Sequence, residues 1–164
     1  MKKQGLLFLF LIILLNACQK ETPAEHTPED IPKEIMQKEM LDLVNNYRQK
    51  GCNCGSEYFP PTTPVVWNNL LASAAQMHSD DMSKNNFLNH TGSDGKSAAY
   101  RISKVGYVWR AYGENIASGY KTANDVMTGW LKSEGHCKNI MNPGFKEMGV
   151  ATSGNYWTQV FGSR

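Results

Sequence analysis

Hydrophobic and polar positions along the chain change period several times, and each change marks an element. An unbroken apolar block, Leu6 to Leu15, follows Met1-Lys-Lys-Gln-Gly, and a polar stretch from Gln19 to Pro32 follows the block. Ile35, Met36, Met40, Leu43, Val44 and Tyr47 then recur at helical spacing, which predicts a helix over 33–50 stopped by Gly51. The Gly- and Pro-rich stretch that follows, through Pro64, reads as a loop. Val65-Val66-Trp67 leads into Asn68 and Asn69, either able to cap a second helix that runs to about Asn85. Leu71, Ala74, Ala75, His78 and Met82 share one face of it. Ser97 to Val105 predicts a short helix ended by Gly106, and the apolar run Tyr107 to Tyr112 predicts a strand. Thr122 with Asp125 three residues on resembles a capping box opening a helix through Lys132. Phe145–Ser153 and Tyr156–Phe161 read as two strands joined at Gly154-Asn155, a hairpin signal.

Helices first, strands interleaved with helices, then a terminal hairpin imply an α+β fold. A small antiparallel sheet covered by helices on both faces would bury every stripe. The 164 residues, 41% of them hydrophobic, suit one domain with a true core.

The amino-terminal block changes the picture of location. Ten helical residues span about 15 Å, half of a hydrocarbon core of about 30 Å, so Leu6–Leu15 is too short to cross a membrane. A positive start and a short apolar middle describe a secretory signal peptide. Leu15-Asn16-Ala17-Cys18 resembles the bacterial lipobox, which implies that Cys18 becomes the lipidated first residue of the mature protein. Cleavage nearby by an ordinary signal peptidase is the alternative. The expected organisation is a signal peptide over 1–17, a flexible tether over 18–32 that includes His26, and a domain over 33–164. Acyl chains bury methylenes at about 0.8 kcal/mol each, enough to hold such a protein to the membrane of a bacterial cell envelope. With Lys2 and Lys3 removed in the leader, 17 basic residues fall to 15 against 15 acidic. A neutral chain lacks the basic footprint that nucleic-acid binding requires.

Four segments carry a resemblance: Phe87-Leu-Asn-His90, Gly113-Glu-Asn-Ile-Ala117, Trp130-Leu-Lys-Ser-Glu-Gly-His136-Cys-Lys-Asn-Ile-Met-Asn-Pro143, and Tyr156-Trp-Thr-Gln159. In this order, and with Gly149-Val150 between the last two, they resemble the SCP or CAP superfamily of cysteine-rich secretory, antigen 5 and pathogenesis-related proteins, most closely its short bacterial branch. The resemblance implies an α-β-α sandwich with a central antiparallel sheet and a solvent-open cavity lined by His and Glu. His90 stands at the family's first cavity histidine, and Glu114 is the glutamate of Gly-Glu-Asn. The family's second glutamate position holds Ser133, with Glu134 one residue later, and the histidine before its Thr-Gln pair is missing. His136 of Ser-Glu-Gly-His supplies an imidazole instead, with Tyr156 at the rim.

Two imidazoles and a carboxylate, His90, His136 and Glu114, can fill three positions of a tetrahedral zinc or other divalent site and leave one for water. Such a site would support metal-dependent hydrolysis in the envelope. The same groups can equally form a hydrogen-bonded network in which Glu114 fixes histidine tautomers. No His-Glu-x-x-His helix is present, and the family is known mostly for binding roles. The expectation is a non-enzymatic protein whose cleft takes a lipid, glycan or protein partner, with the hydrolase as the alternative. Ser133 lacks a Gly-x-Ser-x-Gly elbow and reads as a helix-terminal hydrogen-bonding residue. His78 reads as a partly buried core residue neighbouring the cavity, and Asn115 as the amide organising a Gly-Glu-Asn turn. Tyr107, Tyr112 and Tyr120 flank that segment as candidate groove residues.

With Cys18 acylated, Cys52, Cys54 and Cys137 remain, and two of them can pair in an oxidising compartment. Cys54–Cys137 is the favoured bond and Cys52–Cys137 the other. Either closure, near a hundred residues, contributes about 4–5 kcal/mol. A Cys-x-Cys zinc half-site is a third reading, without a matching second half in the sequence.

Overall fold

The structure is a computed structural model that describes residues 33–164. Residues 1–32, which include Cys18 and the segments expected to be leader and tether, lie outside the described residues. α1 (Lys33–Lys50) is followed by a hairpin of β1 (Cys52–Cys54) and β2 (Glu57–Phe59), then β3 (Val66–Trp67), α2 (Asn69–Asn85) and α3 (Ala98–Lys104). β4 (Ala111–Ser118), α4 (Ala123–Lys132), α5 (Glu134–Met141), β5 (Glu147–Ser153) and β6 (Tyr156–Ser163) complete it. No described helix is long and apolar enough to cross a membrane.

The four-stranded sheet runs β3-β5-β6-β4, antiparallel except for the two-residue parallel pairing of β3 with β5. Strand alternation divides its side chains between two helical layers. Met148, Val150, Trp157 and Phe161 face the core built with α1, α4 and α5. Ala151 and Val160 face the core built with α2 and α3. The result is an α-β-α sandwich. Gly149 sets the depth of α2 on the sheet: a Cβ there would lie 2.1 Å from the Ala72 nitrogen, so only hydrogen lets the helix backbone come this close.

The helix starts match the chemistry of their caps. Asn68 accepts from the Leu70 and Leu71 N–H groups, Ser97 from Tyr100, and Thr122 from Asp125. Three expectations are corrected. The stretch after α1 is no plain loop, because Cys52–Cys54 and Glu57–Phe59 pair across Gly55. Of the run Tyr107–Tyr112, only Ala111 and Tyr112 are strand. Tyr107 is buried with its hydroxyl donating to Glu147, while its N–H closes α3 on the Ile102 carbonyl. Tyr107 and Trp109 cover the end of α3, Trp109 by donating to Ser103 Oγ, while Val108 is exposed, and pairing to β6 begins with Ala111. Gly113–Ala117 is therefore strand and not turn.

Arg48 joins the α1 layer together. Its side chain is fully buried, has no carboxylate partner among the described residues, and donates to the carbonyls of Thr63, Ile140, Asn142 and Phe145. Two of those acceptors finish α5, where a cation also complements the helix dipole. Burial brings the guanidinium down to about 10, still charged at neutral pH. An Arg48→Ala substitution strands these acceptors in the core. We expect it to lower unfolding free energy by at least about 3 kcal/mol in urea titrations.

Candidate functional site

β4 is the outer strand of the sheet, and its alternation sends neighbouring polar side chains into opposite layers. Glu114 points into the α2/α3 layer, with its side chain only 4% exposed. Its Oε2 accepts from Arg101 Nη2 of α3 at 2.7 Å, and its Oε1 accepts from His90 Nδ1 at 2.8 Å. Burial alone would raise the Glu114 pKa. The His90 hydrogen bond, and then the charge and hydrogen bond of Arg101, hold it below the usual carboxylate value.

Arg101 also donates to the backbone carbonyls of His90 and Lys96, so one guanidinium fixes both the carboxylate and the segment that carries His90. Nδ1 of His90 is committed to Glu114, while the side chain as a whole is 55% exposed. A cavity of about 250 Å³ opens here, lined by His90, Thr91, Ser97, Ala98, Tyr112 and Glu114.

Asn115 points the other way. Its amide nitrogen donates to the His136 carbonyl and to Gln159 Oε1, while its carbonyl oxygen accepts from Asn139. Asn139 also donates to the Glu114 backbone carbonyl, which lies on the edge of β4 away from β6. Asn115 thus organises its surroundings from a strand, by tying α5 to the sheet. His136 sits half-buried on α5. Burial, and next the nearby His90, hold its imidazole below the ordinary pKa.

The remaining expected site residues are placed elsewhere. His78 is fully buried and donates from Nε2 to the Asn89 carbonyl, and burial, partly opposed by Glu114, lowers its pKa. Glu134 pairs with Lys138 on the exposed side of α5, beside Gly55. Tyr156 hydrogen-bonds Asn86 at the end of α2 and does not line the cavity. Of the three tyrosines, only Tyr112 lines it. Tyr107 lies under Gly162, and Tyr120 lies over Gly129. The residue missed from sequence is Arg101. Its signal was a cation three positions after Ala98 and beside Ile102, on the face of a short helix that had to be buried.

Of the two imidazoles expected to hold zinc, His90 lines the cavity and His136 does not, and Glu114 orients the first of them. Glu114 does not fit as a third ligand, because both of its oxygens are engaged and one is paired to a guanidinium. Among the described residues, the one group of three metal-ligating side chains whose donor atoms all approach within 4.8 Å is Cys52, Cys54 and Cys137.

Comparison with known proteins places this geometry in a family. Residues 41–161 match the family model of the cysteine-rich secretory protein family, CAP. The uncharacterized protein YkwD of Bacillus subtilis (strain 168) is 35% identical over 127 residues, covering 76% of this chain and 46% of that protein. The uncharacterized membrane protein YlbC of the same strain is 33% identical over 125 residues, covering 76% and 34%. This chain therefore spans less than half the length of either. Among solved structures, an extracellular protein containing an SCP domain from Bacillus anthracis str. Ames superposes with TM-score 0.73 at 28% identity, covering 87% of this chain and 45% of that one. An outer surface protein of Borrelia burgdorferi shares the fold, with TM-score 0.66 at 22% identity over 85% of this chain and 96% of its own.

An Arg101→Gln substitution leaves the buried Glu114 charge without its cation. We expect a loss of about 3–5 kcal/mol at neutral pH. The folded Glu114 pKa lies below its unfolded value of 4.5, so its contribution is full above that pH and is lost as pH falls through the lower folded value. In the variant the buried carboxyl is stabilised by taking up a proton. Urea titrations at pH 7 and pH 4 should show the gap between the two proteins narrowing in acid.

Proposed function

Because this chain belongs to the cysteine-rich secretory protein family, we propose that it is an exported, non-enzymatic binding protein of the bacterial envelope. In this reading lipid on Cys18 holds it to a membrane, and the cleft beside β4 takes a lipid, glycan or protein of the cell surface. The leader pattern supports export, as do relatives whose own descriptions are extracellular, outer-surface or membrane proteins.

The observation that carries the binding reading is the division of labour at Glu114. Its charge is neutralised inside the protein by Arg101, and its other oxygen fixes the exposed His90 ring beside an open cavity. A preset imidazole at a cleft mouth offers a directional hydrogen bond to a polar group of a ligand, and pre-orientation reduces the entropy lost on binding. Tyr112 and Ala98 supply apolar wall beside it. The hydrolase alternative asks more of Glu114, which would have to leave Arg101 to ligate.

Two measurements test this reading. A Cys18→Ala variant expressed in the native host should leave the membrane fraction, and a variant that stays there refutes the anchor. Metal analysis of protein purified without chelators should find no stoichiometric zinc and no ester or amide hydrolysis, whereas near-stoichiometric zinc that a His136→Ala variant loses would favour the hydrolase. Hydrolysis that disappears in Glu114→Gln would favour the enzyme.

A further inference from the structure

On the far side of α5 from Glu114, three sulfurs meet. Cys54 and Cys137 form a disulfide, and both residues are fully buried. Cys52 is a free thiol, half-buried, with its Sγ 3.8 Å from Cys137 Sγ. Their meeting follows from strand geometry. Cys52 and Cys54 are two residues apart on β1, so both side chains leave the same face of the hairpin and point at one position of α5.

We propose that Cys52, Cys54 and Cys137 form a thiol–disulfide exchange site in which Cys52 relays electrons from outside thiols to a disulfide they cannot reach directly. In the first step the Cys52 thiolate attacks Cys137 Sγ. The Cys52–Cys137 bond forms, the Cys54–Cys137 bond breaks, and Cys54 leaves with the electron pair as a thiolate that takes a proton from water. The new disulfide now has one sulfur at the surface. An outside thiolate attacks Cys52 Sγ, forming a mixed disulfide and expelling Cys137 as a thiolate. A second outside thiolate attacks the outside sulfur of that mixed bond, releases the small-molecule disulfide and returns Cys52 as a thiolate. Two outside thiols are oxidised, the protein disulfide is reduced to Cys54 and Cys137 thiols, and Cys52 ends as it began.

The surroundings favour the exchange. Lys138 of α5 bridges to Glu57 of β2 at 3.0 Å, so the hairpin is held against the helix whichever cysteine is bonded. Cys54–Cys137 closes a span of 83 residues and Cys52–Cys137 one of 85, so the chain entropy of the two closures is nearly equal. Against these, burial raises the Cys52 pKa, so little thiolate is present at neutral pH and the relay quickens as pH rises.

The test follows reduction of the native, oxidised full chain by reduced glutathione, with alkylation and peptide mapping at intervals. Cys52→Ser keeps the Cys54–Cys137 bond, and its reduction should be at least tenfold slower than in the parent protein. Cys54→Ser should form a Cys52–Cys137 disulfide and melt close to the parent. Equal reduction rates in the parent and Cys52→Ser overturn the relay, because reduction would then proceed through general opening of the fold. Free Cys52 and Cys137 thiols in aerated Cys54→Ser overturn it as well.

Discussion

A carboxylate carried into the interior by the outer strand governs the arrangement around it. Glu114 is nearly sealed from water, and a buried charge of that kind is tolerated only when an opposite charge and further hydrogen bonds replace its hydration. Arg101 provides the charge, which requires α3 to dock with that one residue facing the strand. Ala98 and Ile102, the apolar neighbours on the same turn, follow it into the core. The guanidinium then holds the His90 carbonyl, and Glu114 holds the His90 ring, so helix and strand together fix a loop residue through its backbone and its side chain.

The opposite layer solves a different problem. An outer strand leaves backbone groups unpaired, and such edges invite association with other chains. Here α5 lies across that edge, and Asn139 donates to the Glu114 carbonyl while Asn115, itself held by the Gln159 side chain, joins the sheet to the helix backbone. Arg48 finishes the same helix by collecting its last carbonyls. The helix that carries His136 is thus anchored at its middle and its end by hydrogen bonds from the interior.

Much of this was legible in the sequence where a local signal decides the structure. The helical stripe of α1, the Asn68 and Thr122 caps and the Gly154-Asn155 hairpin needed only neighbouring residues. What escaped depends on partners far along the chain. Gly-Glu-Asn is a poor strand sequence and reads as a turn, yet it becomes β4 because eight residues of β6 pair with it. The aromatic run before it has strand-like content but covers the end of α3. Arg101 drew no reading from the sequence: its place on the buried face of α3 was visible, but the carboxylate it pairs with lies thirteen positions later. The family motifs led to His90, Glu114 and His136, but not to the division by strand alternation that sends Glu114 and Asn115 to opposite faces.

The Cys54–Cys137 bond has a consequence for how the molecule ages outside a cell. Its loop encloses α2, α3, β4 and α4, most of the exposed connections among them. A protease that cuts one of those connections produces two fragments that remain a single covalent body. Damaged copies would keep their mass and, where the core packing holds, their shape, and the break would become visible only after a reductant separates the halves.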